Sequence, residues 1–338
     1  MNYKPKTVGF QAGERNVFLH VLTACNLSCS HCYINQRQHG TNMLTRDQLE
    51  KWVRLFSRKD ITRSNIIFLG GEPTMHPDLV HGIRVARDCG YHVTVDTNGY
   101  LFHDFLERVS TDMLDYLSFS LDGPDRAVND GIRGEGVFEI CTTNIRKATE
   151  LGFNVSLIYT VSSRNIDHLS RMVPLLIDLG VKRFFIQVIG IRGKSASAVQ
   201  QSAGKSTLQV DPEHWLSIVP EVAAKAAECG IKTIYPKVYL ENNEVFECAG
   251  NVAENFFVFP NGRVYLCPLC EDYPIHSYEI KDDQLVEVDG LTEKQLFKLD
   301  IAEGCVMNKL LQPDTIAYLP DGSPRHRISC CLLKQHVG

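Results

Sequence analysis

The run Val17-Phe18-Leu19-His20-Val21-Leu22, followed at once by Thr23-Ala24-Cys25-Asn26-Leu27-Ser28-Cys29-Ser30-His31-Cys32, decides how the rest of the chain reads. Its first half is almost continuously apolar and rich in β-branched and aromatic side chains, as a strand covered on both faces should be. Its second half sets three cysteines within eight residues of loop. Five further runs of the first kind lie at 65–69, 92–97, 116–121, 154–161 and 183–189, with helical patterns at about 46–57, 77–89, 102–110, 137–151 and 165–179. Gly90, Gly152 and Gly180 each close one of these helices. Strands joined by helical crossovers make an α/β fold with a parallel sheet, either doubly wound or curled into a partial barrel, and periodicity does not choose between them. In both, the three-cysteine loop leaves the C-terminal end of the first strand, the edge where such folds place their chemistry.

Composition narrows the class of function. The 338 residues are 44% hydrophobic and 22% charged, ordinary for a folded globular chain, and the net charge of −5 supplies no basic field for nucleic acid or an anionic membrane. No apolar run approaches the ~20 residues of a membrane span. The opening Met1-Asn2-Tyr3-Lys4-Pro5-Lys6 lacks the apolar core of a signal peptide, so the expected location is the cytoplasm. Twelve cysteines are the unusual feature, and clustered thiols in a reducing compartment hold a metal or do chemistry more often than they form bridges. Cys25, Cys29 and Cys32 form one group, and Cys248, Cys267, Cys270, Cys305, Cys330 and Cys331 a second. Cys89, Cys141 and Cys229 stand alone on helical stretches and read as small buried hydrophobes.

Three soft thiolates in one loop can converge on an iron–sulfur cluster or zinc. Zinc in structural sites wants four closed ligands, and His31 at this spacing is a poor fourth. Three ligands on a four-iron cube leave one iron open to a small chelating molecule. The Cys-x3-Cys-x2-Cys spacing after strand one resembles that of the radical S-adenosylmethionine (radical SAM) superfamily, whose fold is a partial (β/α)6 barrel. In that family the open iron binds the amino and carboxylate groups of S-adenosylmethionine, and reductive cleavage gives a 5′-deoxyadenosyl radical. Further likeness lies at the other strand ends. Gly70-Gly71-Glu72-Pro73 is similar to the family's glycine–glycine–glutamate–proline motif, in which Glu72 would accept from the ligand's ammonium. Thr97-Asn98-Gly99 ends strand three. Ser120-Leu121-Asp122-Gly123 ends strand four, where the resemblance puts Ser120 on the ribose and Arg133 on the methionyl carboxylate. Strand six ends near Ile189, similar to the segment that packs the adenine.

The C-terminal cysteines resemble the opening of the SPASM and twitch extensions, which carry auxiliary clusters. Cys248 and Cys267 bracket a hairpin turned by Pro260-Asn261-Gly262. The later SPASM block Cys-x2-Cys-x5-Cys-x3-Cys is missing, and six thiols fall short of the about eight that two four-iron clusters need. One auxiliary [4Fe–4S] cluster is expected, with Cys248 and Cys267 the firmest ligands and Cys270, Cys305, Cys330 and Cys331 competing for the rest. Structural zinc is the plain alternative. The pair Cys330-Cys331 also resembles C-terminal thiols of radical SAM enzymes that form carbon–arsenic bonds, which gives As(III) binding as a second reading. An iron–sulfur electron carrier or assembly factor is a third, from a different class.

The expected organisation is a core over 1–210, ending in a polar loop or lid at 193–210, and a small cysteine-rich α+β extension over 211–338. A helix from Pro212 to Gly230 follows Asp211. Strand one begins near Val17, which leaves no room for a fused peptide-binding domain and favours a small molecule, or a short peptide delivered by another protein. An electron donor such as flavodoxin or ferredoxin is implied. No catalytic side chain is singled out. His20 reads as a satisfied core histidine, Tyr33 as packing on the cysteine loop, and Tyr159 and Gln187 as cavity-lining if they point inward.

Overall fold

The computed structural model describes residues 4–11, 13–58, 60–102, 104–196, 208–241, 243–313 and 316–338. Strands β1 (Lys6–Val8), β2 (Glu14–His20), β3 (Arg63–Leu69), β4 (His92–Thr97), β5 (Tyr116–Ser120), β6 (Val155–Val161), β7 (Arg183–Val188) and β8 (Lys232–Pro236) are followed by β9 (Tyr239–Leu240) and β10 (Glu254–Val258). The last are β11 (Arg263–Tyr265), β12 (Tyr278–Lys281), β13 (Gln284–Glu287), β14 (Arg327–Ile328) and β15 (Lys334–Val337). From β2 to β8 the strands pair parallel and in chain order. A doubly wound sheet reverses its order at a switch point, and this one does not, so the sheet is the singly wound, partial-barrel type. Five of the six strands expected from sequence start and end within two residues of the pattern, and the first begins three residues early, at Glu14.

The C-terminal chain borders both edges of the parallel run. β10 pairs parallel with β2 and leads into the antiparallel β11, β12 and β13, while β15 pairs antiparallel with β8 and with β1. Arg15 helps fix the first border: its guanidinium meets Glu254 at 2.7 Å and donates to the Phe56 carbonyl at 2.8 Å. β9 and β14 form a separate short pair.

Helices cover one face only. Thr45 and Gln48 form a reciprocal capping box on Arg46–Leu55, and Asp211 accepts from Glu213 N and His214 N to start Pro212–Glu228. Outward strand residues such as Val17, Leu19, Phe68, Phe119, Leu157, Phe184 and Ile186 are fully buried against these helices in one continuous core. On the inner face Arg183, Phe185 and Gln187 of β7 are only half-buried, whereas Ser118 and Ser156 are buried and Phe18 and His20 stack on Phe257 and Phe259. The inner face is therefore packed with rings beside β2 and accessible along β7.

This alternation settles two expectations. Gln187 is on the inner face, but Tyr159 is not: it packs edge-on to Phe184 in the outer core and donates to the Asn165 carbonyl at 2.7 Å. Of the lone cysteines Cys141 is buried, Cys89 is half-buried and Cys229, at the C-cap of the helix Pro212–Glu228, is exposed. Residues 197–207 of the expected polar loop lie outside the described residues. No helix among the described residues is long and apolar enough to cross a membrane.

Phe119 is fully buried and stacks on Phe102 with ring centroids 5.3 Å apart. Phe119→Ala should cost about 3–5 kcal/mol of stability. Urea unfolding followed by circular dichroism measures this, and a loss under about 1 kcal/mol would contradict the packing described.

Candidate functional site

The cysteine loop is gripped by backbone on several sides. As it leaves β2, Val21 N donates to the Leu69 carbonyl and Thr23 N to the Asn42 carbonyl, both at 2.9 Å. Gly71 N then donates to Leu22 O at 2.9 Å and Glu72 N to Ala24 O at 3.0 Å. A Cβ on Gly70 would sit 2.3 Å from Leu22 O, and one on Gly71 only 1.9 Å from Ala24 O. The close approach these glycines permit is thus to the chain's own cysteine loop. At the far end Ser30 N donates to Ile132 O and Lys194 N to Cys32 O, both at 2.9 Å, and a Cβ on Gly193 would lie 2.5 Å from Cys32 O.

Within this grip Cys25, Cys29 and Cys32 are free thiols, half-buried and within electrostatic reach of one another. Cys25 and Cys32 line a cavity of about 610 Å³, together with Thr23, Gly71, Lys194 and Asp272. Burial pushes the Cys25 thiol up to about 11, with Glu72 and the other two thiols adding to the shift. Burial raises Cys29 as well, against the pull of Arg133. Three soft sulfurs, of which Cys25 and Cys29 resist ionising alone, suit a polynuclear cation, whose charge would reverse that shift. Among the described residues no three His, Cys, Asp or Glu side chains close on a single metal ion. Asn98 orients the first thiol, donating to Asn26 Oδ1 at 2.8 Å and to Cys25 Sγ at 3.6 Å.

Two buried carboxylates brace the strand ends. Glu72 Oε1 accepts from Thr74 N, Thr74 Oγ1 and Thr97 Oγ1, and Oε2 from Asn98 N at 2.7 Å, joining the Gly70–Pro73 turn to the end of β4. Burial raises its pKa against these bonds. Pro73 opens the short turn Pro73–Met75. Asp122 meets Arg133 Nε at 2.7 Å and His31 Nε2 at 3.0 Å, while its Oδ1 accepts from Thr160 N. Burial alone would raise Asp122, but Arg133 and His31 hold it below the usual carboxylate range. Arg133 is therefore paired with a side chain of its own chain. Ser120 is half-buried on the inner face of β5, and Ile189 is buried beyond β7 with its N–H on Val161 O. Sequence reasoning passed over Asp122 because Asp-Gly after a strand is a common turn, and nothing local marks it as the partner of His31 and Arg133.

The six C-terminal thiols are free and gather in one place. Cys248 lies within electrostatic reach of Cys330, Cys267 and Cys305, and Cys331 within reach of Cys330, Cys267 and Cys305. Cys270 N donates to Cys267 O across the Pro268–Cys270 turn. Burial pushes Cys305 up to about 12. Glu293 fixes the hairpin end by accepting from Cys267 N at 3.2 Å and Ser277 Oγ at 2.9 Å. One side chain joins the two thiol sites. Arg192 pairs with Glu271, donates to Pro268 O at 2.6 Å, and lies over the Tyr33 ring at 4.5 Å. The Tyr33 hydroxyl in turn donates to His20 Nε2 at 2.9 Å, because His20 Nδ1–H donates to Val258 O. His20 is thus the satisfied core histidine expected from sequence.

Residues 19–176 match the Radical SAM superfamily. The Fe-coproporphyrin III synthase of Methanosarcina barkeri is 27% identical over 232 residues, which is 65% of this chain and 57% of its own length. The probable GTP 3',8-cyclase of Pyrococcus horikoshii is 31% identical over 142 residues, 42% of this chain and 45% of its own length. The chain thus spans about half the length of the curated relatives it matches. Among solved structures, Streptococcus suis SuiB bound to S-adenosylmethionine superposes with a TM-score of 0.58 at 14% identity, over 75% of this chain and 60% of that one. The anSMEcpe structure with bound AdoMet gives 0.58 at 14%, over 91% and 82%. At such identity the likeness is one of fold.

Two results should follow from the geometry. Gly71→Ala should displace the loop and lower the iron bound after anaerobic reconstitution, and full iron content in that variant would contradict the grip. Asp96, on the inner face beside Ser118, has its pKa pushed up to about 7 by burial. A raised carboxyl favours the folded state below the unfolded pKa of about 3.9 and loses that contribution as pH rises through about 7. Asp96→Asn should therefore raise the urea midpoint relative to the parent at pH 8 but not at pH 4; equal differences at both pH values would contradict it.

Proposed function

As residues 19–176 belong to the Radical SAM superfamily, we propose that the protein cleaves S-adenosylmethionine reductively at a [4Fe–4S] cluster on Cys25, Cys29 and Cys32, giving a 5′-deoxyadenosyl radical that activates a small molecule or short peptide. The observation that carries this reading is the gripped three-thiol loop at the mouth of the barrel, opening on a cavity of about 610 Å³. Three sulfurs without a fourth ligand suit a cluster with one open corner.

The chain's own residues then have distinct tasks. Gly70, Gly71 and Gly193 hold the loop at a fixed height over the inner face. Glu72, Pro73, Asn98, Ser120, Arg133 and Ile189 ring the strand ends from which the sulfonium nucleoside would be held. Asp122 keeps Arg133 charged and oriented without a water shell. The accessible part of the inner face along β7 would offer substrate space beneath, with the C-terminal chain along both sheet edges.

We assign 1–210 to the catalytic core and 211–338 to an extension with one auxiliary cluster, ligated by four of the six gathered thiols and most firmly by Cys248 and Cys267. The mutual proximity of these thiols supports that reading. A low-potential donor of the flavodoxin or ferredoxin type would supply electrons, and a reducing cytoplasm suits twelve free cysteines.

The test is the anaerobic reconstituted protein with dithionite and S-adenosylmethionine, followed for 5′-deoxyadenosine. The parent should form it and Cys29→Ser should not. Cys267→Ser should lose about four irons per chain while keeping measurable cleavage. No nucleoside from the parent would point instead to an electron carrier.

A further inference from the structure

The inner face carries charge that the cysteine loop does not use. The strand register pairs Lys6 with His336, His336 with Ile234, Lys334 with Pro236, and Lys232 with Arg183. Alternation therefore sets Lys6, Lys334, His336, Lys232 and Arg183 on one face, across β1, β15, β8 and β7, together with Phe185. This is the face turned away from the helices, since Phe184 and Ile186 occupy the other.

Two of these cations are seated on aromatic rings. Lys334 Nζ lies 5.0 Å from the centre of Phe185, and the Arg183 guanidinium 4.3 Å from that of Tyr116. Lys334 also donates to the Cys331 carbonyl at 3.1 Å. Other enclosed cations in this protein have a carboxylate at hand: Arg15 has Glu254, Arg133 has Asp122 and Arg192 has Glu271. Among the described residues none of the five forms such a pair; Asp96 acts on Arg183, and the thiols of Cys331 and Cys330 act on Lys334. His336 is surrounded by Lys232, Arg183, Lys334 and Lys6; burial first, and then these charges, pull its pKa down. Lys6 and Lys232 are exposed, but Arg183, Lys334 and His336 are half-buried, and like charges gathered there are unfavourable unless an anion answers them. In a chain of net charge −5 such a grouping does not follow from composition.

We propose that this wall binds an oxyanion of the substrate, a carboxylate or a phosphate, with Lys334 as the leading contact and His336 and Arg183 beside it. The inference rests on the reading of the inner face as substrate space. Because Lys334 follows Cys331 by three residues, the anionic end would lie against the C-terminal thiols, leaving the rest of the substrate to extend toward the loop of Cys25, Cys29 and Cys32.

Isothermal titration calorimetry of the anaerobic reconstituted holoprotein tests this, with sodium phosphate in one arm and sodium succinate in the other, at fixed ionic strength in chloride. Saturable binding is expected in at least one arm, and the arm that binds distinguishes phosphate from carboxylate. Lys334→Met should weaken it at least about tenfold, and Lys334→Arg should keep it within about threefold. Should Lys334→Met lose iron or fold, His336→Gln is the second variant, with an expected loss of about threefold. Lys225→Met, on the outer surface, should change nothing. No binding in either arm at millimolar concentration, or equal affinity in parent, Lys334→Met and His336→Gln, would overturn the proposal. The same samples are assayed for 5′-deoxyadenosine. Cleavage without oxyanion binding removes the wall alone, and binding without cleavage removes the catalytic reading alone.

Discussion

No side chain fits between the cysteine loop and the strand ends that hold it. At Gly71 a single methyl would lie 1.9 Å from the Ala24 carbonyl, and at Gly193 one would lie 2.5 Å from that of Cys32. Bare backbone on one side and bare backbone on the other allow the loop to be held by short amide hydrogen bonds rather than by mobile side chains. Three sulfurs are thereby fixed relative to a sheet whose strands run in parallel register beneath them. Such fixed placement would serve the radical reaction proposed above, in which small errors of position between reacting atoms are expensive.

The same loop is tied electrostatically to the rest of the molecule. Asp122 reaches it through His31 and holds Arg133, so the helix Arg126–Arg133 and the end of β5 are joined to the loop. Arg192 reaches it through Tyr33 and joins it to Glu271, one residue beyond Cys270. One guanidinium thus bridges the two thiol sites. The inner face between them has unfilled space, with acid on β4 and base on β7 and β15. That polarity would orient a substrate as well as hold it.

Much of this was legible in the sequence, for reasons that differ by element. Strands β3 to β7 are rich in Val, Ile, Phe and Tyr, and β4, β6 and β7 each follow a glycine-closed helix, so local pattern sufficed to place them. The triad and the Gly70–Pro73 turn stood out because spacing along a loop is local too. What the pattern hid was long-range. The chain-order pairing that makes a barrel, the parallel seat of β10 beside β2, and the return of β15 to β8 all join residues far apart in sequence. The role of Gly70 and Gly71 was legible only as backbone freedom, and the structure shows the partner to be the loop itself. Tyr159 looked like a cavity residue because one step of register decides its face. Asp122 looked like a turn, and nothing local marked Lys334, until folding gave each its surroundings.

The account depends on one corner of a cluster being free for a ligand. Electron paramagnetic resonance of the reduced, reconstituted protein tests it most directly, in a variant whose C-terminal thiols are replaced so that only the cluster on Cys25, Cys29 and Cys32 contributes. Addition of S-adenosylmethionine should shift the g-values of that signal, and isotope-labelled methionyl carboxylate or amine should give resolved hyperfine coupling to it. A signal unchanged by the nucleoside, with no such coupling, would show the corner closed and contradict the account.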